Sequence, residues 1–387
     1  MAVPDEAVPF DLSRFKRLMA EQGLDIAILS SRHNIRYASG GYYYHFHANS
    51  QRMAESQYIS FAGIPAVAPG EAFYIRRPDE YMQMDYDQRP WFPEIYDSPR
   101  GTAPAAAALV QVLRRKGFEK ATIGVEMPFL PADVYITLRK ELPLAAFRDI
   151  TGLMNELRAI KSSTELAIMR SAYDRNARAI RASFLACTEG ISTKEIERMV
   201  AREMAMRDLS FLFALISTGP ACIRAPSDRL TWKRGMACHI DAGAHDRDYI
   251  ADICRMASMG PPSTLARELY EACIEVQQKV RRIIRSGVAC GTVVAAGEQA
   301  ALSSEFAPYA RFVVHSIGLV PYEQPVMERD SLRPLEAGMV LSIETDFIHP
   351  VAGHIKIEDA VIVREAGCEG LGDFGRDFLE IEPGSVP

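Results

Sequence analysis

The sequence predicts a two-domain fold of mixed α and β structure, and three observations lead there. At 387 residues the chain is too long for a single domain of ordinary size, roughly 100 to 200 residues. Helical and strand-like patterns alternate through about the first 150 residues, as a small α/β layer requires. A capping box at Ser162 and Glu165 then opens a long amphipathic stretch, which places the start of a second domain near Arg158. The reading adopted is a small α/β N-terminal domain over 1–155 and a larger α+β domain over 156–387.

In chain order, Leu12 to Gln22 reads as a helix and Leu24 to Leu29 (LDIAIL) as a buried strand. Gly40 and Gly41 introduce the aromatic run Tyr42, Tyr43, Tyr44, His45, Phe46 and His47. That composition suits a loop at a domain or subunit seam, or a wall facing a substrate. Thr102 to Lys116 reads as a helix, Ala121 to Val125 as a strand and Ala132 to Leu142 as a further helix. Past the boundary, the helix capped by Ser162 runs to about Leu185. Ser192 and Glu195 repeat the capping box ahead of Ile196, Met199 and Val200, and Ser263 or Thr264 caps a helix ending near Gly287. No solenoid repeat or low-complexity tract interrupts the chain.

Composition narrows the function. Forty-four Lys and Arg against fifty Asp and Glu give a formal charge of −6, which repels phosphate backbones and anionic lipid, so nucleic acid and membrane are not expected partners. The best apolar run, Phe211 to Ile216, is core-sized and far short of the ~20 residues of a membrane span. MAVPDEAVPF has acidic and proline residues where a secretory signal is basic and then apolar, so a cytoplasmic protein is expected. Seven cysteines with no CxxC pair form a poor disulfide or zinc framework and are expected to be reduced thiols.

Two acidic hairpins carry the chemistry. CHIDAGAHDRDYIADICRM reads as two strands around a turn centred on Asp246 and Arg247, which sets Asp241 directly opposite Asp252. GMVLSIETDFIHPVAGHIKIEDAVIV reads as two strands about Pro350 to Gly353, setting Glu344 opposite Glu358 and Asp346 opposite Lys356. Facing carboxylates are destabilising unless a cation or a shared proton neutralises them, whereas Asp346 and Lys356 are a favourable pair. Four carboxylates and one imidazole, for which His315 in FVVHSIGLVPYEQP is the candidate, form a suitable shell for two divalent ions ~3.5 to 4 Å apart.

These stretches resemble the pita-bread metallohydrolases, which include methionine aminopeptidase, prolidase, aminopeptidase P and creatinase. The resemblance rests on IDAGAHDRDYIADICR, on HSIGL followed by EQP, and on GMVLSIE followed by KIEDAVIV. Eleven positions separate Asp241 from Asp252, twenty-nine His315 from Glu344 and fourteen Glu344 from Glu358, in the family's order. It covers about 156–387, and SSRHNIRYASG ties the N-terminal half to the creatinase and prolidase type. It implies a pita-bread catalytic domain, a homodimer, and Asp241, Asp252, His315, Glu344 and Glu358 as ligands of one or two divalent ions (Mn, Fe, Co or Zn).

The chain departs from the family at its substrate-handling positions. Arg224 stands where the peptidases carry a histidine, Tyr322 stands in place of the histidine before Glu323, and Lys356 replaces the common Arg. Arg does not exchange protons near neutral pH, but its fork holds a carboxylate by two hydrogen bonds, so Arg224 is expected to clamp an acidic or zwitterionic substrate. Tyr322 is expected to orient a substrate oxygen. By resemblance to creatinase, Phe46 and Arg52 are the aromatic and charged residues offered to the neighbouring subunit's site. His45, His47, His239, His349 and His354 are expected to play structural or supporting parts.

The expected reaction is hydrolysis of an amide C–N bond, with Glu344 or Glu358 moving the proton to the leaving nitrogen. The substrate is an Xaa-Pro dipeptide or peptide, or a small amide or amidine such as creatine or ectoine. From other classes come an osmolyte lyase acting on dimethylsulfoniopropionate and a non-catalytic binding module.

Overall fold

The computed structural model describes residues 8–42, 44, 59–77, 79–86 and 89–382. Two compact units divide between Leu157 and Arg158.

The first unit builds one mixed sheet from β1 (Ile26–Leu29), β2 (Phe61–Pro65), β3 (Phe73–Arg76), β4 (Glu94–Asp97), β5 (Thr122–Val125) and β6 (Ala146–Asp149), ordered β4-β3-β2-β1-β5-β6. Its helices are α1 (Leu12–Glu21), α2 (Arg32–Ala38), α3 (Glu80–Tyr86), α4 (Thr102–Arg115), α5 (Ala132–Glu141) and α6 (Thr151–Leu157). Ile26, Ile28, Phe61, Phe73, Ile123 and Val125 pack with Leu109 and Leu113 of α4 and Val134 and Leu138 of α5. Burial of that apolar face drives the layer together. Helix α2 starts inside SSRHN, where the buried Glu126 carboxylate accepts from the Ser30 and Ser31 amides at 2.5 and 2.9 Å and from Asn34 Nδ2 at 2.5 Å. Of the aromatic run, Tyr42 and Tyr44 are buried, and Tyr42 donates to Glu80 at 2.8 Å. Tyr43, His45, Phe46, His47 and Arg52 lie outside the described residues.

In the second unit both capping boxes form. Ser162 and Glu165 exchange bonds at the start of α7 (Ser163–Leu185), and Ser192 and Glu195 at the start of α8 (Thr193–Ala205). Two more helices follow, α9 (Thr264–Ile283), capped by Ser263, and α10 (Cys290–Leu302). The sheet comprises β7 (Ser210–Thr218), β8 (Ala237–Asp246), β9 (Tyr249–Met259), β10 (Ala310–Ser316), β11 (Val340–His349) and β12 (Gly353–Arg364), ordered β10-β11-β12-β9-β8-β7. β13 (Gly367–Leu371) pairs with β12, and β14 (Leu379–Ile381) pairs with β9. Buried amides tie helices to the two long hairpins. Asn176 of α7 donates to the Ala242 and Ala251 carbonyls at 2.9 Å each, and Gln277 of α9 to those of Ile343 and Ile357 at 2.7 and 3.2 Å. Each bond satisfies a carbonyl at a site where water is excluded.

One expected register is corrected. The β8–β9 hairpin closes at Asp246 and Tyr249, so Asp241 faces Cys254 and Asp252 faces Gly243. Its two loop residues, Arg247 and Asp248, have φ of 46° and 69°. A two-residue loop with both centres left-handed matches the natural strand twist, and that places the turn one residue later than a centre on Asp246 and Arg247. The pairing shifts by two, so Asp241 and Asp252 keep a common face as diagonal neighbours. The second hairpin has the expected register, with Glu344 opposite Glu358 and Asp346 opposite Lys356. Gly353 opens β12 at φ 83°, where a Cβ would meet the Gly219 carbonyl oxygen at 1.7 Å. Among the described residues no helix is long and apolar enough to cross a membrane.

Candidate metal centre

Strand register alone lays out the site. A central row crosses the sheet through Asp241 on β8, Cys254 on β9, Glu358 on β12, Glu344 on β11 and Val313 on β10, each paired with the next. Residues two apart on a strand share a face. A row on one side therefore holds Asp252 opposite Gly243, with Ser342 between Ala360 and His315. The row on the other side holds His239 opposite Met256, with Asp346 between Lys356 and Arg311.

The ligand atoms of Asp252, His315 and Glu358 lie within 4.8 Å of one another, and all three residues are buried. His315 Nε2 is 3.4 Å from Glu344 Oε1 and 3.9 Å from Glu358 Oε1. Asp252 Oδ1 is buried with no hydrogen-bond partner among the described residues, an arrangement that a bound cation relieves. Carboxylates with one imidazole suit Mn, Fe, Co or Zn, so the donor set fits the divalent ion that the resemblance implies.

Two side-chain cations enter the same cluster. Lys356 Nζ donates to Asp241 Oδ2 at 2.7 Å and Glu344 Oε2 at 2.6 Å, and lies 2.8 Å from Glu358 Oε2. Arg224 Nη2 donates to the same Asp241 oxygen. Burial opposes the charged form of Lys356, but Asp241, Glu358 and Glu344 outweigh it and hold the ammonium well above its ordinary pKa. His315 is likewise disfavoured as a cation by burial and favoured by Glu344 and Glu358, which push it up to about 11. Burial raises Glu344, yet His315 and Lys356 hold it well below the carboxylate range. Asp252 moves well up, through burial and then through Glu358 and Asp241. Glu358 also moves up, through burial and then Glu344. The directions share a cause, negative charge crowded out of water.

The structure therefore brings Asp241, Asp252, His315, Glu344, Glu358 and Arg224 together. Tyr322 joins them, its largely exposed ring 4.5 Å from that of His315. Phe46 and Arg52 fall outside the described residues. The expected ion pair of Asp346 with Lys356 is corrected. They are register partners, but the lysine reaches across to the central row, and His354 stands 3.5 Å from Asp346 Oδ2. His239, in the Lys356 row, stacks edgewise on His354, one row further along, with ring centroids 4.6 Å apart, and His349 caps the β11–β12 turn by accepting from Val351 N at 3.1 Å.

Sequence reasoning missed two supports. Glu323 is buried and accepts from Arg158 Nε and Lys161 Nζ at 3.0 Å each and from Leu319 N at 3.1 Å. Gly318 of HSIGL leaves room for it, since a Cβ there would meet Glu323 Oε2 at 2.4 Å. Asp359, on the opposite face from Glu358, meets Arg255 at 2.6 Å, Arg376 at 2.9 Å and Arg281 at 3.5 Å. The signal available for Asp359 was parity, since a carboxylate beside a site residue on a strand must point the other way and needs partners of its own.

Comparison with known proteins agrees with this architecture. Residues 167–365 match metallopeptidase family M24, and residues 12–160 match the creatinase/prolidase N-terminal domain. The Xaa-Pro dipeptidase of Pyrococcus horikoshii is 25% identical over 263 residues, covering 67% of this chain and 75% of that protein. The uncharacterized peptidase YqhT of Bacillus subtilis is 24% identical over 364 residues, covering 92% and 96%. In fold, the chain is similar to the structure of Xaa-Pro dipeptidase from Bacillus anthracis, with a TM-score of 0.81, 21% identity, and 95% and 98% of the two chains covered. These relatives favour peptide hydrolysis over the lyase, amidine and binding-module readings. The family match spans half the chain and includes all five metal-ligand candidates, so this protein belongs to metallopeptidase family M24, within the pita-bread metallohydrolases, and is a metal-dependent hydrolase of amide C–N bonds.

Proposed function

We propose that this chain is a cytoplasmic dipeptidase of the Xaa-Pro type, acting as a homodimer, with Asp252, His315, Glu344, Glu358 and Asp241 forming its metal centre. The observation that carries the reading is the convergence of Asp252, His315 and Glu358, with Glu344 beside His315 and an Asp252 oxygen unpartnered among the described residues. These residues would hold a divalent ion, which would supply a water of lowered pKa and a Lewis acid for the scissile carbonyl. Glu344, the more exposed of the two glutamates with 12% of its side chain accessible against 1% for Glu358, is the one placed to carry a proton toward the leaving nitrogen. Arg224 gives one N–H to Asp241 while its Nε is buried and unpartnered among the described residues, so its fork keeps a donor for the substrate's terminal carboxylate. Tyr322 orients the substrate from the open side. Seven unpaired cysteines suit a reducing compartment.

The test is a panel of Xaa-Pro dipeptides, longer Xaa-Pro peptides, creatine and ectoine, run with protein loaded with Mn2+ or Co2+. Release of free proline from dipeptides is expected. Turnover of creatine or ectoine alone would transfer the site to small amides, and an alkene from dimethylsulfoniopropionate would overturn hydrolysis itself.

A further inference from the structure

We infer that this centre holds one divalent ion and that Lys356, with Arg224, occupies the place of a second. The inference builds on the metal-hydrolase reading but not on the identity of the substrate.

An ammonium has three N–H donors and no acceptor. Lys356 donates to Asp241 Oδ2 at 2.7 Å and Glu344 Oε2 at 2.6 Å and forms an ion pair with Glu358 Oε2 at 2.8 Å, so three carboxylates surround it. The amine is buried, with 1% of its side chain accessible, so water does not compete for those oxygens. A compact cation held by three carboxylates does locally what a metal ion does, and it is tethered to β12 by its own backbone.

The two glutamates divide their oxygens between the two sides of the central row. Each turns Oε2 to Lys356 and Oε1 toward His315 Nε2, and Glu358 Oε1 also accepts from Ser342 Oγ at 2.9 Å. Asp252 and His315 stand in the row on the Oε1 side, while Lys356 stands in the row on the Oε2 side. One ion thus has a complete donor set in Asp252, His315, Glu344 and Glu358 without disturbing the lysine. A second ion would need Asp241, whose Oδ2 is already bonded to both Lys356 and Arg224.

Charge leads to the same number. Asp241, Asp252, Glu344 and Glu358 bring four negative charges, and Lys356 and Arg224, paired with three of these carboxylates, cancel two. One divalent ion neutralises the rest. A second would leave the buried cluster with two uncompensated positive charges, a state that desolvation makes unfavourable.

The experiment counts ions. Metal-free full-length protein is dialysed to equilibrium against excess Mn2+, the bound metal is measured by elemental analysis, and the Mn2+ spectrum is recorded by electron paramagnetic resonance. One ion per chain is expected, with the signal of isolated Mn2+ and none of the spin coupling of a pair ~3.5 to 4 Å apart. Lys356→Met, which keeps the unbranched stem and removes the charge, is expected to admit a second ion and produce that coupling. Lys356→Gln, which removes the charge and keeps an N–H donor, is expected to do the same. Two ions in the wild type, or one in a folded Lys356→Met, would overturn the inference. If Lys356→Met does not fold, one ion in a folded Lys356→Gln overturns it instead. Proline release by a protein holding two ions would sink this inference alone. One ion in a protein that cleaves no Xaa-Pro dipeptide would sink the substrate reading alone.

Discussion

Arg224 is the residue at which this chain departs most from proton-moving chemistry. Its guanidinium is anchored to Asp241 and only partly exposed, so its position is set before a substrate arrives. Preorganisation of this kind gives a hydrogen bond to a charged group a worth of ~1.5 to 3 kcal/mol, or about 10- to 100-fold in a binding constant. Arg224→Ala is therefore expected to raise KM by about that factor with a smaller change in kcat, measured by initial rates on an Ala-Pro type dipeptide. Arg224→Lys should recover little of the loss, because the point charge survives and the fork does not. A KM unchanged in Arg224→Ala would leave the residue a structural partner of Asp241 and nothing more.

Above the single residue, the lead-in to α7 is fastened to the loop between β10 and β11 by Glu323, which meets both Arg158 and Lys161 with about 1% of each side chain accessible. Burial pushes the Glu323 carboxyl up, but Lys161 and Arg158 overcome this and bring it down to about 2. A carboxyl depressed from its unfolded value of ~4.3 stabilises the fold fully above that pH. The stabilisation fades as pH falls toward about 2, where the folded group itself takes up a proton. Glu323→Gln, which leaves two buried cations short of a partner, is expected to cost about 3 to 5 kcal/mol at neutral pH. Urea titrations across the acid range should then find a shallower loss of stability in the variant than in the wild type. Equal slopes would mean that the triad titrates elsewhere. Elements of this sort explain what the sequence made legible. Helix starts were readable because a capping box is local, and the β11–β12 register because three residues of loop join two long alternating strands. The β8–β9 register was off by one turn position, since Asp246, Arg247 and Asp248 are all plausible turn residues and only the left-handed backbone at the last two decides. The equally short β1 and β5 stood out by the largely apolar runs LDIAIL and ATIGV, whereas β2 (FAGIP) carries Gly and Pro and β3 (FYIR), β4 (EIYD) and β6 (AFRD) mix charged residues into four positions, so they went unassigned. Lys356 was readable as a register partner of Asp346 but not as a fourth presence among the ligands, because a long flexible side chain chooses its partner in three dimensions.

At the scale of the whole molecule, the proposed assembly is a homodimer. Light scattering at micromolar concentration is expected to give about twice the 43.0 kDa chain mass. A monomeric mass with full dipeptidase activity would remove any need for a second subunit at the site. The three rows of the metal centre also give the two long hairpins a significance beyond connecting strands. Asp241 lies six residues from the Arg247–Asp248 loop and Glu358 five from Gly353, some ~20 Å of strand at ~3.3 Å per residue. Side chains alternate faces along that whole distance, so a single inserted residue that the strand absorbs would exchange every ligand beyond it for a neighbour pointing the other way. Two inserted residues would restore the face but slide the residue about 6.6 Å out of its row. These turns thus act on the site by parity, much as a reading frame acts on codons: an odd step absorbed by a strand turns its site residues to the other face, and an even one keeps the face but moves them along it.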